Sequence, residues 1–174
     1  MSKLKTAVNS KDHFQGNVNA PIELVEYGDY QCPYCGRAYP IIKNIQKKLG
    51  NNLKFVFRNF PLSEIHPHAV NAAVASEAAA LQNKFWEMHD YLFEHQDRQD
   101  DESLVRYATQ LHLNVKQFES DFEKPELTQK VDADFESGAR SGVNGTPSFF
   151  INGLKYNDSW EEDVFLDHLQ GLLK

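Results

Sequence analysis

The chain has 174 residues, 41% of them hydrophobic and 12% aromatic, which is enough for one domain with a buried core despite 25% charged residues. The formal net charge of −7 comes from scattered acidic residues and argues against nucleic acid as a partner, which requires a clustered basic face. No stretch approaches the roughly 18 apolar residues of a membrane span, and two cysteines in the whole chain exclude a disulfide-dense scaffold.

Residues 1–20 lack the continuous apolar segment of a signal peptide and read as a loosely ordered lead-in. The placement expected from this is cytoplasmic; the alternative is periplasmic, if a signal peptide has been removed from the front. "IELVEYG" (Ile22 to Gly28) has the length and apolar content of a buried strand. A helix is predicted from Pro33, with Ala38, Ile41, Ile42, Ile45 and Leu49 at helical spacing, Pro40 as a kink and Gly50 as the stop. "LKFVFRNF" (Leu53 to Phe60) is a second strand, and the resulting βαβ unit favours a parallel pair. These elements form the first half of an α/β scaffold, residues 21–65.

From His66 to Ser141 the pattern is helical throughout, giving an inserted subdomain over residues 66–141. Pro67 suits a first helical turn before the alanine-rich "HAVNAAVASEAAALQ". Phe85, Met88 and Leu92, then Leu104, Ala108 and Leu111, then Val115, Phe118 and Phe122 mark further amphipathic helices, four or five in all. The second half of the scaffold, residues 142–174, opens with the strand "SFFING" and an Asn152-Gly153 hairpin turn. Ser159 and Glu162 read as a capping box for a closing helix whose Phe165, Leu169 and Leu172 share one face.

Both cysteines lie in "YGDYQCPYCGRAYPII", two residues apart at the start of the first helix. There Cys32 meets unpaired backbone N–H groups and the positive end of the helix dipole, which favour its thiolate. The dipole supplies about 0.3–1 kcal/mol, which lowers a thiol pKa by roughly one unit or less. Further lowering has to come from specific hydrogen bonds, from backbone N–H groups and the Cys35 thiol. Cys35, one turn inside, is expected to be buried and to act as the resolving thiol. A zinc site would need two more ligands. His66 and His68 are the candidates, but their spacing is tighter than the usual His-x₃₋₅-His. A purely structural disulfide would close too short a loop to constrain the unfolded chain much. A redox couple is the reading preferred, with no metal and no cofactor.

The segment "VEYGDYQCPYC" (Val25 to Cys35) resembles the strand, loop and active-site helix of the thioredoxin fold. With "VNGTPSFFING" (Val143 to Gly153) and the helical insertion, the chain is similar to the DsbA-like oxidoreductases. The resemblance implies a thioredoxin fold with an inserted helical subdomain. It also implies that Pro147 follows a cis peptide bond and faces the thiols, leaving backbone near Thr146 to pair with an incoming peptide in strand fashion. Glu26 matches the buried acidic position of such proteins; there its pKa would be raised, and it could accept the proton of Cys35. Pro33 and Tyr34 would tune the couple. DsbA carries a histidine where Tyr34 stands, so one cationic aid to the thiolate is absent, and Asp29 would oppose ionisation if it pointed inward. Pro-Tyr is also the glutaredoxin pair, but glutaredoxins are much shorter and lack the insertion. No role is assigned to Asp12, His13 or Phe14, and His66 and His68 are expected on the surface at a helix start.

The function expected is protein thiol–disulfide exchange, with cysteine-containing protein substrates, an unidentified redox partner and a monomeric state. Two alternatives are a redox-sensing or partner-binding module and a glutathione-dependent transferase or isomerase of the same fold; an intact Cys35 weighs against the latter.

Overall fold

The computed structural model describes residues 2–174. Strands β1 (His13–Gly16), β2 (Ile22–Gly28) and β3 (Leu53–Asn59) precede β4 (Ser148–Ile151) and β5 (Leu154–Tyr156), and helix α1 (Pro33–Leu49) joins β2 to β3. Helices α2 (Ala69–Ala80), α3 (Phe85–Glu94), α4 (Asp101–Gln110), α5 (Val115–Phe122) and α6 (Pro125–Arg140) lie between β3 and β4, and α7 (Glu162–Gly171) closes the chain. The five strands form one sheet in the order β1-β3-β2-β4-β5. β2 and β3 are parallel, and the other pairs are antiparallel. This is the thioredoxin fold with an inserted helical subdomain.

Alternation along β2 divides the core. Ile22 and Leu24 face a large cluster shared with α1, α7 and the inserted helices, whereas Val25 and Tyr27 face a smaller one with Val56, Phe60, Val143 and Phe150. Glu26 keeps the period of Leu24 and therefore points into the large apolar cluster, towards α1. Glu23, on the other period, is half-buried, and its carboxylate takes a hydrogen bond from Lys54 Nζ at 3.0 Å. At the far end of the sheet, Asn152 and Gly153 turn the β4–β5 hairpin with φ of 48° and 81°, as a type I′ turn requires.

The insertion is built around α2, nine of whose twelve residues are buried. Its alanines leave room for neighbours on nearly every side, so α2 packs against α3, α4, α5 and α6. It starts at Ala69, two residues beyond Pro67.

Several expectations are corrected. The lead-in is ordered: β1 pairs with β3 along one sheet edge, and Lys3 bridges to Leu154 at the other. Asp12 fixes this segment. Its carboxylate accepts from Arg58 Nε at 2.8 Å and Nη2 at 2.9 Å, while Arg58 also donates to Thr6 O, Ala7 O and Tyr27 Oη. Five bonds thus occupy a guanidinium that offers five N–H groups. His13 bonds Glu77 at 2.8 Å and stacks on Phe85. Ser159 does not cap the closing helix; its hydroxyl accepts from Glu161 N, and Glu162 bonds Lys48 and Asn44 of α1 instead. Leu172 lies beyond the helix end and is exposed.

Burial raises the Asp12 pKa, but the hydrogen bonds and charge of Arg58 more than reverse this, holding it below 3.8. Its contribution to stability is therefore fully present above that pH and is lost as pH falls through the lower folded-state value. Asp12→Ala, which strands the Arg58 charge, is expected to cost about 3–5 kcal/mol in urea unfolding at pH 7. Removing Glu161 from its exposed pair with Arg37 should cost less than about 1 kcal/mol.

Candidate active site

The site forms where β2 ends and α1 begins. Gly28 ends the strand at a point where a Cβ would sit 2.5 Å from the Phe57 ring. The chain then turns through Asp29, Tyr30 and Gln31 and enters α1 with Cys32 as the cap residue and Pro33 at the first helical position. Proline needs no N–H partner there. Pro33 is exposed, and so is Tyr34, at 59%. Tyr34 has the Arg37 guanidinium 6.0 Å from its ring centre. Helix α1 continues through Pro40.

Cys35 is fully buried, whereas Cys32 is 4% exposed as a residue with its sulfur only partly covered. The two thiols are not joined in a disulfide. The neighbouring Cys35 thiol is the main cause holding the Cys32 pKa down at about 5; burial opposes it, and the backbone N–H groups of Cys35 and Tyr34 assist. Burial pushes the Cys35 thiol well up, reinforced by its bond to Cys32 and the nearby Glu26 carboxylate. The two sulfurs are thus strongly unequal: one ionises easily and the other keeps its proton.

The segment before β4 supplies the opposite wall. The Thr146–Pro147 peptide bond is cis, and Thr146 O lies 3.4 Å from Cys32 Sγ. Residues 114 positions apart in sequence are therefore in contact. Thr146 Oγ1 is buried without a hydrogen-bond partner. Glu26, 3% exposed, has its pKa raised to about 8 by burial and then by the Cys32 charge, and its Oε1 also lacks a partner. The candidates Glu26, Cys32, Cys35, Thr146 and Pro147 therefore converge, while Pro33 and Tyr34 lie on the outer face.

Four further residues escape sequence reasoning. Asp29 does point inward, at 1% exposure. Its Oδ1 accepts from Gln31 N at 2.7 Å and Cys32 N at 3.2 Å, and its Oδ2 accepts from Leu62 N at 2.8 Å. His66 is not a free surface residue: its Nδ1 lies 2.7 Å from Asp29 Oδ2. From the insertion, Gln96 Nε2 donates to Tyr30 O and Cys32 O at 2.8 and 2.9 Å, and Gln99 Nε2 donates to Tyr30 O at 3.0 Å. Gly36 allows this approach, since a Cβ there would fall 2.1 Å from Gln96 Oε1. No periodicity or local motif marks the two glutamines, whereas the inward placement of Asp29 is a question its position beside the thiols already raises.

Comparison with known proteins agrees with this geometry. The chain is 26% identical to a thioredoxin-like oxidoreductase from Silicibacter pomeroyi, with a TM-score of 0.83 over 94% of this chain and 92% of that one. BdbD from Bacillus subtilis superposes with a TM-score of 0.85 at 23% identity, covering 99% and 98% of the two chains. Alpha-DsbA1 from Wolbachia pipientis gives 0.84 at 22% identity, covering 95% and 92%. Among curated sequences, the Na(+)/H(+) antiporter NhaA 1 of Mycolicibacterium vanbaalenii is 40% identical over 160 residues, which is 91% of this chain but 26% of the antiporter. The chain thus spans about a quarter of the length of the curated relatives it matches. No helix among the described residues is long and apolar enough to cross a membrane. The family model described as Thioredoxin matches residues 8–171, and the chain belongs to the thioredoxin family.

Proposed function

We propose that the protein is a thiol–disulfide oxidoreductase that exchanges disulfides with cysteine-containing protein substrates through Cys32 and Cys35. The observation that carries this reading is the inequality of the two sulfurs beside the cis-Pro147 segment. At pH 7 a thiol of pKa about 5 is almost wholly thiolate, the form that attacks disulfides. The Cys32 thiolate attacks one sulfur of a substrate disulfide, forming a mixed disulfide and releasing the other sulfur as a thiolate. Cys35 then loses its proton and attacks Cys32 Sγ. The second substrate thiolate leaves, and Cys32 and Cys35 are left joined; two electrons have passed from the protein to the substrate. The reverse sequence oxidises a substrate dithiol.

Glu26 takes the Cys35 proton. While Cys32 is ionised, its charge helps to keep the Glu26 carboxyl protonated; once Cys32 is bound in a mixed disulfide that charge is gone, and the carboxyl is freer to ionise and act as base. Backbone at Thr146 aligns the substrate chain, and Pro33 and Tyr34 tune the couple from the outer face. The low Cys32 pKa favours the reverse, oxidising direction, because it stabilises the reduced protein. Two units below pH 7 amount to about 3 kcal/mol, or ~60 mV for a two-electron couple. An exported, oxidising compartment suits that direction. The dithiol arrangement also supports this reading over glutathione-dependent transfer, which needs no resolving thiol.

The antiporter relatives favour a second reading, in which this module serves an ion transporter by reporting or setting its thiol state. One experiment separates the two. Cys35→Ser is expected to trap mixed disulfides in cells, with Cys32→Ser abolishing both trapping and exchange with a glutathione buffer. Mass spectrometry showing many cysteine-containing proteins supports the general oxidoreductase, a single transporter supports the second reading, and no trapped species at all overturns the first.

Glu26 gives an independent check. Its carboxyl ionises near 4.5 in the unfolded chain and near 8 in the folded one, so between these values the folded state holds the extra proton and stability falls as pH rises. The upper limit is about 5 kcal/mol. Reduced Cys32, with its lowered pKa, contributes the opposite slope, so the measurement belongs on a Cys32→Ser background. There, urea unfolding from pH 5 to 9 should show a loss that adding Glu26→Gln removes.

A further inference from the structure

Asp29 sets a physical problem. Its carboxylate accepts from the Cys32 N–H at 3.2 Å, and its backbone N–H donates to Cys35 Sγ at 3.5 Å, so negative charge lies beside the residue whose sulfur has to become an anion. Like charges this close raise a thiol pKa. His66 resolves the conflict from the β3–α2 connection. Its Nδ1 is bonded to the carboxylate at 2.7 Å, and its side chain is 17% exposed while that of Asp29 is wholly buried. The imidazole therefore reaches solvent while the carboxylate does not. The backbone Leu62 N–H, on the same oxygen as His66, holds the two segments in register.

We propose that Asp29 and His66 form a positioning pair in which protonation of His66 cancels the carboxylate charge and so favours the thiolate of Cys32. With His66 protonated the pair is neutral overall and the sulfur anion is opposed by no net charge. With His66 neutral the pair carries one negative charge, and the thiolate is disfavoured. The coupling is reciprocal, so a Cys32 thiolate also favours the charged imidazole. The oxidised protein has no thiolate to stabilise; a charged His66 therefore favours the reduced form and makes the couple more oxidising. The ionisable groups nearest the thiols on these segments include Glu26 on β2, Tyr30 in the loop after it, Tyr34, Cys35 and Arg37 on α1, and Glu64 and His68 on the His66 loop. A substitution confined to His66 leaves all of them in place.

The inference deepens the proposed dithiol exchange and takes from it the role of Cys32. Its test needs only a nucleophilic thiol. His66→Asn keeps an N–H donor near the position of Nδ1 but carries no charge at any pH, whereas His66→Phe removes donor and charge together. The rate of Cys32 alkylation by iodoacetamide, followed against pH with the site identified by mass spectrometry, reports the thiolate. The Asn variant is expected to alkylate about threefold to tenfold more slowly at the pH of the wild-type midpoint. Its glutathione equilibrium is also expected to be less oxidising than that of the wild type. An Asn profile that superposes on wild type overturns the proposal, and so does an effect confined to the Phe variant, which would assign the role to the hydrogen bond alone. Because the Asn variant preserves the bond, the test survives if the Phe variant does not fold. Wild-type protein that alkylates with this pH dependence but exchanges no disulfides would defeat the oxidoreductase reading and leave the coupling intact.

Discussion

The site depends on the unequal settings of two neighbouring sulfurs, with Cys35 buried and its thiol favouring the Cys32 thiolate beside it. The dipole of α1 alone can lower a thiol pKa by roughly one unit, and the partial burial of Cys32 works against its thiolate. The remaining stabilisation is local: one S–H and two backbone N–H groups. This arrangement requires Cys35 to be buried and to keep its proton, which in turn requires the apolar cluster formed by the sheet, α1 and the insertion. The core that stabilises the fold is thus the same medium that makes the two thiols unequal.

Much of this was legible in the sequence because it is local or periodic. The boundaries of β2, α1 and β3, the Asn152-Gly153 turn and the burial of Cys35 all follow from spacing and turn chemistry. The convergence of Glu26, Cys32, Thr146 and Pro147 was not legible that way; it came from resemblance to a known family, since contacts across more than a hundred residues leave no trace in periodicity. Where resemblance was silent, the reading failed. Asp12 and Arg58, 46 positions apart, order a lead-in that composition alone presents as loose. The four residues "HFQG" are too short and too polar to announce β1. Ser159 and Glu162 have the right spacing for a capping box, but Lys48 and Asn44 compete for the glutamate and win, which no local rule weighs.

The helical insertion is more than a lid attached to a scaffold. Its alanine-rich α2 forms a dense hub, and two glutamines between α3 and α4 reach back to the backbone around the thiols. The relatives cast the domain in a wider role: the same module, at 40% identity, accounts for about a quarter of a sodium–proton antiporter chain. A unit that carries its own core and its own redox centre can be joined to other machinery without borrowing structure from it.

The glutamine clamp grips carbonyl oxygens of Tyr30 and Cys32, and Asp29 grips amide hydrogens of Gln31 and Cys32. Neither grip uses the side chains of Pro33 or Tyr34, which stand outside. The dipeptide between the sulfurs can therefore change while the seat that holds them stays as it is.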